Sequence, residues 1–300
     1  MTTISAIAAR APTDQALGRT RKVLHVLRRW PVLPVVILTL VLVCAAFAPL
    51  IAPHDPYVGQ LRDERTPPMW QDGGSSKFIL GTDPLGRDIF SRIVYGARIS
   101  IVLVSVVVTG GVIVGTTLGV LAGYYGGWTE DIIMRFVDLN LSLPFVMIAL
   151  AAAVVFGPSF PLIVTLLVLY SWSGFARQSR AETLRLKSVD YVAQARICGA
   201  SDLRIMWRHV LPGLVSTTVV IMTLNVGQLI LAEASLSFLG VGIPGPKPAW
   251  GSMVADGKDY ISDSYWIALF PGLAIFLVVF SMNFLGDWLR DRWDPKLRQL

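Results

Sequence analysis

Apolar positions in this chain gather into six long blocks at 31–53, 99–124, 132–156, 161–175, 214–232 and 266–284, separated by polar segments. Runs of this length suit helices of ~20 residues that cross a bilayer, whereas barrel strands would show ~10-residue alternation. The pattern predicts an all-α, polytopic membrane protein with six transmembrane helices. The first block exceeds the 7 to 15 apolar residues of a cleavable leader and reads as a retained anchor. The fourth is the shortest.

The polar segments divide the rest. Residues 1–30 form a basic tail ending in Arg28, Arg29 and Trp30, an interfacial anchor. Residues 54–98 form an outer loop whose last part, TDPLGRDIFSRIVYGARIS, predicts an interfacial amphipathic helix. Asp83 would cap it, Pro84 would take its first position, and Ile89, Phe90, Ile93 and Val94 would form its apolar face. Residues 99–287 form a five-helix core interrupted by a polar loop at 177–213, and 288–300 form a C-terminal tail.

Composition agrees: 54% of residues are hydrophobic and 15% charged, against about 25% charged in soluble domains. Six Lys and Arg fall in 1–30, seven in 177–208 and four in 290–298. The positive-inside bias therefore predicts that both termini and the 177–213 loop are cytoplasmic. The net charge of +6 is a topological signal and gives no reason to expect nucleic acid. Cys44 in the first block and Cys198 in the loop are not expected to pair, and His25, His54 and His209 are scattered, so no metal site is expected.

Gly111, Gly115, Gly119, Gly123 and Gly127 recur every four residues, a stripe that predicts close helix packing. Asp138 and Arg135, three apart, would face each other on a helix. The middles of the blocks hold little that is polar beyond Asn225 and Gln228, which suits a conduit better than an ion-driven carrier.

The stretch SVDYVAQARICGASDLRIMWRHVLPG, 188–213, breaks the apolar pattern. Ser188 would cap a helix carrying Asp190, Tyr191, Val192 and Arg196, and Gly199 would end it in a left-handed turn with Ala200. Ser201 would cap a second helix from Asp202 that stops at Pro212. Two such short helices are marginal alone in water and should dock on something.

This stretch resembles the cytoplasmic coupling motif of ABC importer permeases, Glu-Ala-Ala, then Gly, then Ile-x-Leu-Pro. Ala193, Gln194 and Ala195 stand at the first three positions, Gly199 at the glycine, His209 at the isoleucine, and Leu211 and Pro212 at the end. The acidic residue is absent at Ala193, so a salt bridge from that position does not carry over. GTDPLGRDIFSRIVYGARISI and EASLSFLGVGIPGPKPAWGSM are similar to the second permease subunit of dipeptide, oligopeptide and nickel importers.

The resemblance implies a type I ABC importer permease fold in the inner membrane of a bacterium. It also implies a homologous permease partner, two cytoplasmic ATPases docking on the loop, an external substrate-binding protein, and surrounding lipid. The solute would be a short peptide. Glu233, by its position near the outer end of the fifth block, would either line the outer mouth of the pore or pair with a neighbouring loop. The chain lacks the G-x-x-x-x-G-K-[ST] phosphate loop: its only Gly-Lys pair, Gly257-Lys258, is followed by Asp259. ATP and magnesium would therefore belong to partner subunits, with no catalytic residues and no cofactor on this chain. An ion-gradient-driven secondary transporter is the alternative.

Overall fold

The computed structural model describes residues 31–293; the basic tail 1–30, with His25 and the Arg28-Arg29-Trp30 anchor, and residues 294–300 lie outside them. Among the described residues every regular element is helical, apart from one bridge between Thr82 and Asp88.

The first apolar block is two helices, α1 (Val32–Ala46) and α2 (Ala48–Ile51), with a break at Phe47. Pro49 has no N–H for the Ala45 carbonyl, so the helix restarts rather than continuing. At 15 residues α1 is ~22 Å long, less than the ~30 Å of bilayer hydrocarbon.

Helix α3 (Ile89–Tyr125) has 37 residues and is ~55 Å long. It corrects the expectation of a separate interfacial helix: residues 89–98 are its first turns. Ile89, Ser91, Arg92, Val94, Gly96 and Ala97 are buried there against protein. The cap is Asp88, whose carboxylate accepts from the Ser91 amide at 3.0 Å. Asp83 instead shapes the preceding turn, accepting from the amides of Leu85 and Arg87, both at 2.9 Å.

The third block bends by 82° into α4 (Gly127–Ser142) and α5 (Phe145–Phe156). Pro144 between them stops the α4 hydrogen-bond ladder. The fourth block is longer than its apolar core, since α6 (Phe160–Lys187) runs on through polar residues. The polar loop is therefore helical up to Lys187. It continues as α7 (Asp190–Ile197) and α8 (Asp202–Ile205), then a π turn (Met206–Val210), α9 (Leu211–Phe238), α10 (Trp250–Gly257) and α11 (Trp266–Trp293).

The second loop helix does not stop at Pro212. From Asp202 to Phe238 the chain is one helical run, with Pro212 in the first turn of α9. Proline cannot donate to a carbonyl four residues back. The wider turn just before it, in which the Leu211 amide bonds to the Met206 carbonyl five residues earlier, takes up the mismatch. Among the described residues four helices are long and apolar enough to cross a bilayer, α3, α6, the 202–238 run and α11, or five if α4 and α5 form one bent span.

The α3–α6 contact is the tightest in the bundle. A methyl added at Gly115 would lie 2.3 Å from the Trp172 carbonyl oxygen, and one at Gly119 would lie 2.4 Å from that of Ala176. Gly111 meets Ser171 Oγ at 2.3 Å in the same way, and Gly123 meets Thr183 Cβ at 2.8 Å. Gly127 does not belong to the stripe: it opens α4 at φ +52° with nothing packed on it. The pair is stitched to α4 by Arg180 to Glu130 and by Arg177 to Asp138 at 2.7 Å, so Asp138 pairs with Arg177 and not with Arg135.

Candidate functional site

The polar loop folds back onto the ends of α3 and α6. Val192 of α7, Ile205 of α8, and Met206 and Val210 of the π turn are buried with Val120, Tyr124, Leu186 and Leu214 in one apolar cluster. This is the docking that two short helices need. The turn between α7 and α8 is a Schellman motif: the Gly199 amide bonds to Arg196 O at 3.0 Å and the Ala200 amide to Ala195 O at 3.1 Å. Gly199 has φ +78°, the left-handed conformation expected of it.

Ser188 differs from expectation. It closes α6, its hydroxyl donating to the Arg185 carbonyl at 2.8 Å, while Val189 is the residue that precedes α7. Ser201 holds the cap position of α8 without a side-chain bond. Asp190, Tyr191, Ala193, Gln194, Arg196, Gly199 and Asp202 are exposed, Ala195, Ala200 and Leu211 half-buried, and Val192 buried. Leu211 and Pro212 lie in the first turn of α9, where Pro212 is exposed, and join the loop to that helix.

Composition alone did not single out Tyr124. Its hydroxyl donates to Asp202 Oδ1 at 2.6 Å and accepts from Arg196 Nη2 at 3.4 Å; Lys187 Nζ donates to its carbonyl at 2.6 Å. The hydrogen bond to Tyr124 pushes the Arg196 guanidinium above its usual range. The only signal in the sequence is that Tyr124 follows directly on the glycine stripe. Beyond this buried seam the loop presents Ile197, 85% exposed, with Leu203 and Trp207 also exposed. These side chains are an apolar surface on an otherwise polar element.

The opposite end of the bundle holds a charge cluster that sequence reading also missed, buried at Asp83, Arg87 and Arg92 and half exposed at Asp256. Arg87 Nε donates to Asp83 Oδ2 at 2.6 Å, and both Arg87 and Arg92 approach Asp256 of α10 at 3.8 Å. Asp88 accepts from Ser91 Oγ at 2.6 Å and faces His54. Trp250 and Trp266 brace the same region, donating to the carbonyls of Ile93 and Thr82. Glu233 is buried in α9, 5% exposed, and its Oε1 accepts from Ser237 Oγ one turn on at 2.7 Å.

Partial burial pushes the Asp256 carboxyl above its usual value, with Arg92 and Arg87 opposing the shift and Asp83 adding to it. A raised native value means that the unfolded chain releases this proton first as pH rises. Asp256 therefore contributes stability at low pH that is lost as pH climbs from ~4 through its native value. Thermal unfolding in detergent should show Asp256→Asn losing less stability than the parent chain over that rise. An identical pH profile would contradict the assignment.

The profile of a family described as "Binding-protein-dependent transport system inner membrane component" matches residues 115–299. The chain is 42% identical to the di/tripeptide transport system permease protein DppC of Pseudomonas aeruginosa, over 86% of each chain. It is 45% identical to the glutathione transport system permease protein GsiD of Pectobacterium atrosepticum, over 76% of this chain and 75% of that one. In fold it matches a chain of the inward-facing MetNI methionine ABC transporter with a TM-score of 0.56. That match has 18% identity and covers 66% of this chain and 94% of the other. Transport permeases, and not ion-driven carriers, are thus its relatives. With 185 of its residues under that profile and such relatives along most of its length, this multi-pass inner membrane chain belongs to the binding-protein-dependent transport system inner membrane component family.

Proposed function

We propose that this chain is one pore-forming half of an ATP-driven ABC importer for short peptides. It pairs with a homologous permease and receives solute from an external binding protein. Two cytoplasmic ATPases bind ATP and magnesium and dock on the 188–213 loop. The peptide assignment rests on the relatives: they include a di/tripeptide permease, and others are named for dipeptides or glutathione.

The observation that carries the docking role is the two-sidedness of the loop. One face is buried on α3 and α6, while the other presents Ile197, Leu203 and Trp207. Closure of the ATPases would push the loop, and the continuous 202–238 helix would carry that push into the bilayer without a flexible joint. In this reading both termini are cytoplasmic. The chain crosses six times, with α1 and α2 together making the first crossing and the bent α4–α5 pair the third.

The test is reconstitution. The chain, tagged and extracted from its native membranes, should bring down a second permease and subunits carrying a phosphate loop. The complex in vesicles should take up dipeptides only when ATP is supplied. Uptake by this chain alone without ATP would refute the proposal. Topology has its own check: Cys198 is exposed on the loop. An impermeant thiol reagent should label it in inverted vesicles and spare it in intact cells. Efficient labelling of intact cells would reverse the orientation.

A further inference from the structure

The 202–238 helix is the obvious route out of the loop, but the structure contains a second. Tyr124, the penultimate residue of α3, is 4% exposed and bonds to residues of α6, α7 and α8. Lys187 at the end of α6 bonds to its carbonyl, Arg196 of α7 to its hydroxyl, and that hydroxyl bonds to Asp202 at the start of α8. Both loop cations also lie over its ring, at 5.7 Å for Lys187 and 5.8 Å for Arg196. A phenylalanine would fill the same apolar space among Val120, Leu186 and Val192 equally well. The hydroxyl therefore adds something that packing does not need. It forms a charge-assisted hydrogen bond that fixes α7 and α8 relative to α3.

Immediately above Tyr124 the helix has no slack. Gly123, Gly119 and Gly115 bring the α3 backbone against α6 so closely that the two must move together. Helix α3 then runs ~55 Å to the Asp83–Arg87–Arg92–Asp256 cluster at the other end. Resting on the docking role proposed above, we propose that Tyr124 is a positioning residue: it transmits displacement of the loop into the α3–α6 pair and so to the outer charge cluster, in parallel with α9.

Hydrogen exchange on the assembled complex, with its partner permease and ATPases, tests this without knowing the solute. In the parent complex, adding ATP should change the exchange of amides 83–96 and of α9. In Tyr124→Phe the response of 83–96 should fall about tenfold, as loss of a hydrogen bond to a charged group implies, while that of α9 persists. Asp202→Ala, which alters an exposed side chain and leaves the core intact, should give the same split. The double variant should add nothing further. Unchanged 83–96 responses in both single variants, or a parent complex whose 83–96 amides ignore ATP, would overturn the transmission role and leave docking standing. Failure of the ATPases to bind the parent chain would overturn the docking role itself.

Discussion

Gly115→Leu is expected to abolish recovery of the folded chain. A side chain at this position would start 2.3 Å from the Trp172 carbonyl oxygen and 2.7 Å from Phe175 Cβ. The obstacle includes backbone of a neighbouring helix, so a rotamer change cannot relieve it. Overpacking a well-filled core costs ~1–3 kcal/mol. Here four such contacts in succession hold α3 to α6, so parting the helices at one loosens the others. Inside a bilayer, lipid is as apolar as leucine, and close packing of small residues is a main source of helix association. Size-exclusion chromatography of the tagged chain in mild detergent should show aggregate or no material. Gly174→Ala, where nothing lies within 4 Å, should elute like the parent chain. A monodisperse Gly115→Leu variant at parental yield would show that the stripe does not hold the bundle.

Ile197→Asp should leave the fold intact and remove the ATPases. Ile197 is 85% exposed at the end of α7, within the Schellman turn, and is not a member of the buried cluster. The folded chain alone loses little by the change, since surface substitutions usually fall within ~0.5 kcal/mol. In a docked interface the aspartate would be a buried charge without a partner, a cost of at least ~2 kcal/mol, or some thirtyfold in affinity. Co-purification should therefore yield the permease pair without its ATPases, with the elution volume of the pair unchanged. Retention of the ATPases at parental stoichiometry would place the docking surface elsewhere on the loop.

The centres of the helices were legible in the sequence because hydropathy encodes them locally. Their ends were not. Helix α6 continues past its apolar block because Arg177 and Arg180 find carboxylates on α4, and α3 begins ten residues early because Arg92 is buried near Asp83 and Asp256. Those partners are distant in sequence, so no local pattern reveals them. The same holds for Pro212, which reads as a stop until the π turn before it is seen. Gly199 was legible because a single residue type carries its conformation. Tyr124 was not, since an aromatic at the end of a span is equally consistent with an interfacial anchor.

The most direct measurement of the central claim is photocrosslinking from the loop itself. A benzophenone amino acid placed at position 203, where Leu203 is exposed, would be activated in native membranes and its adducts identified by mass spectrometry. The account predicts a dominant adduct with a subunit carrying a phosphate loop, at residues away from its nucleotide site. Adducts confined to lipid, to the partner permease or to this chain would contradict it.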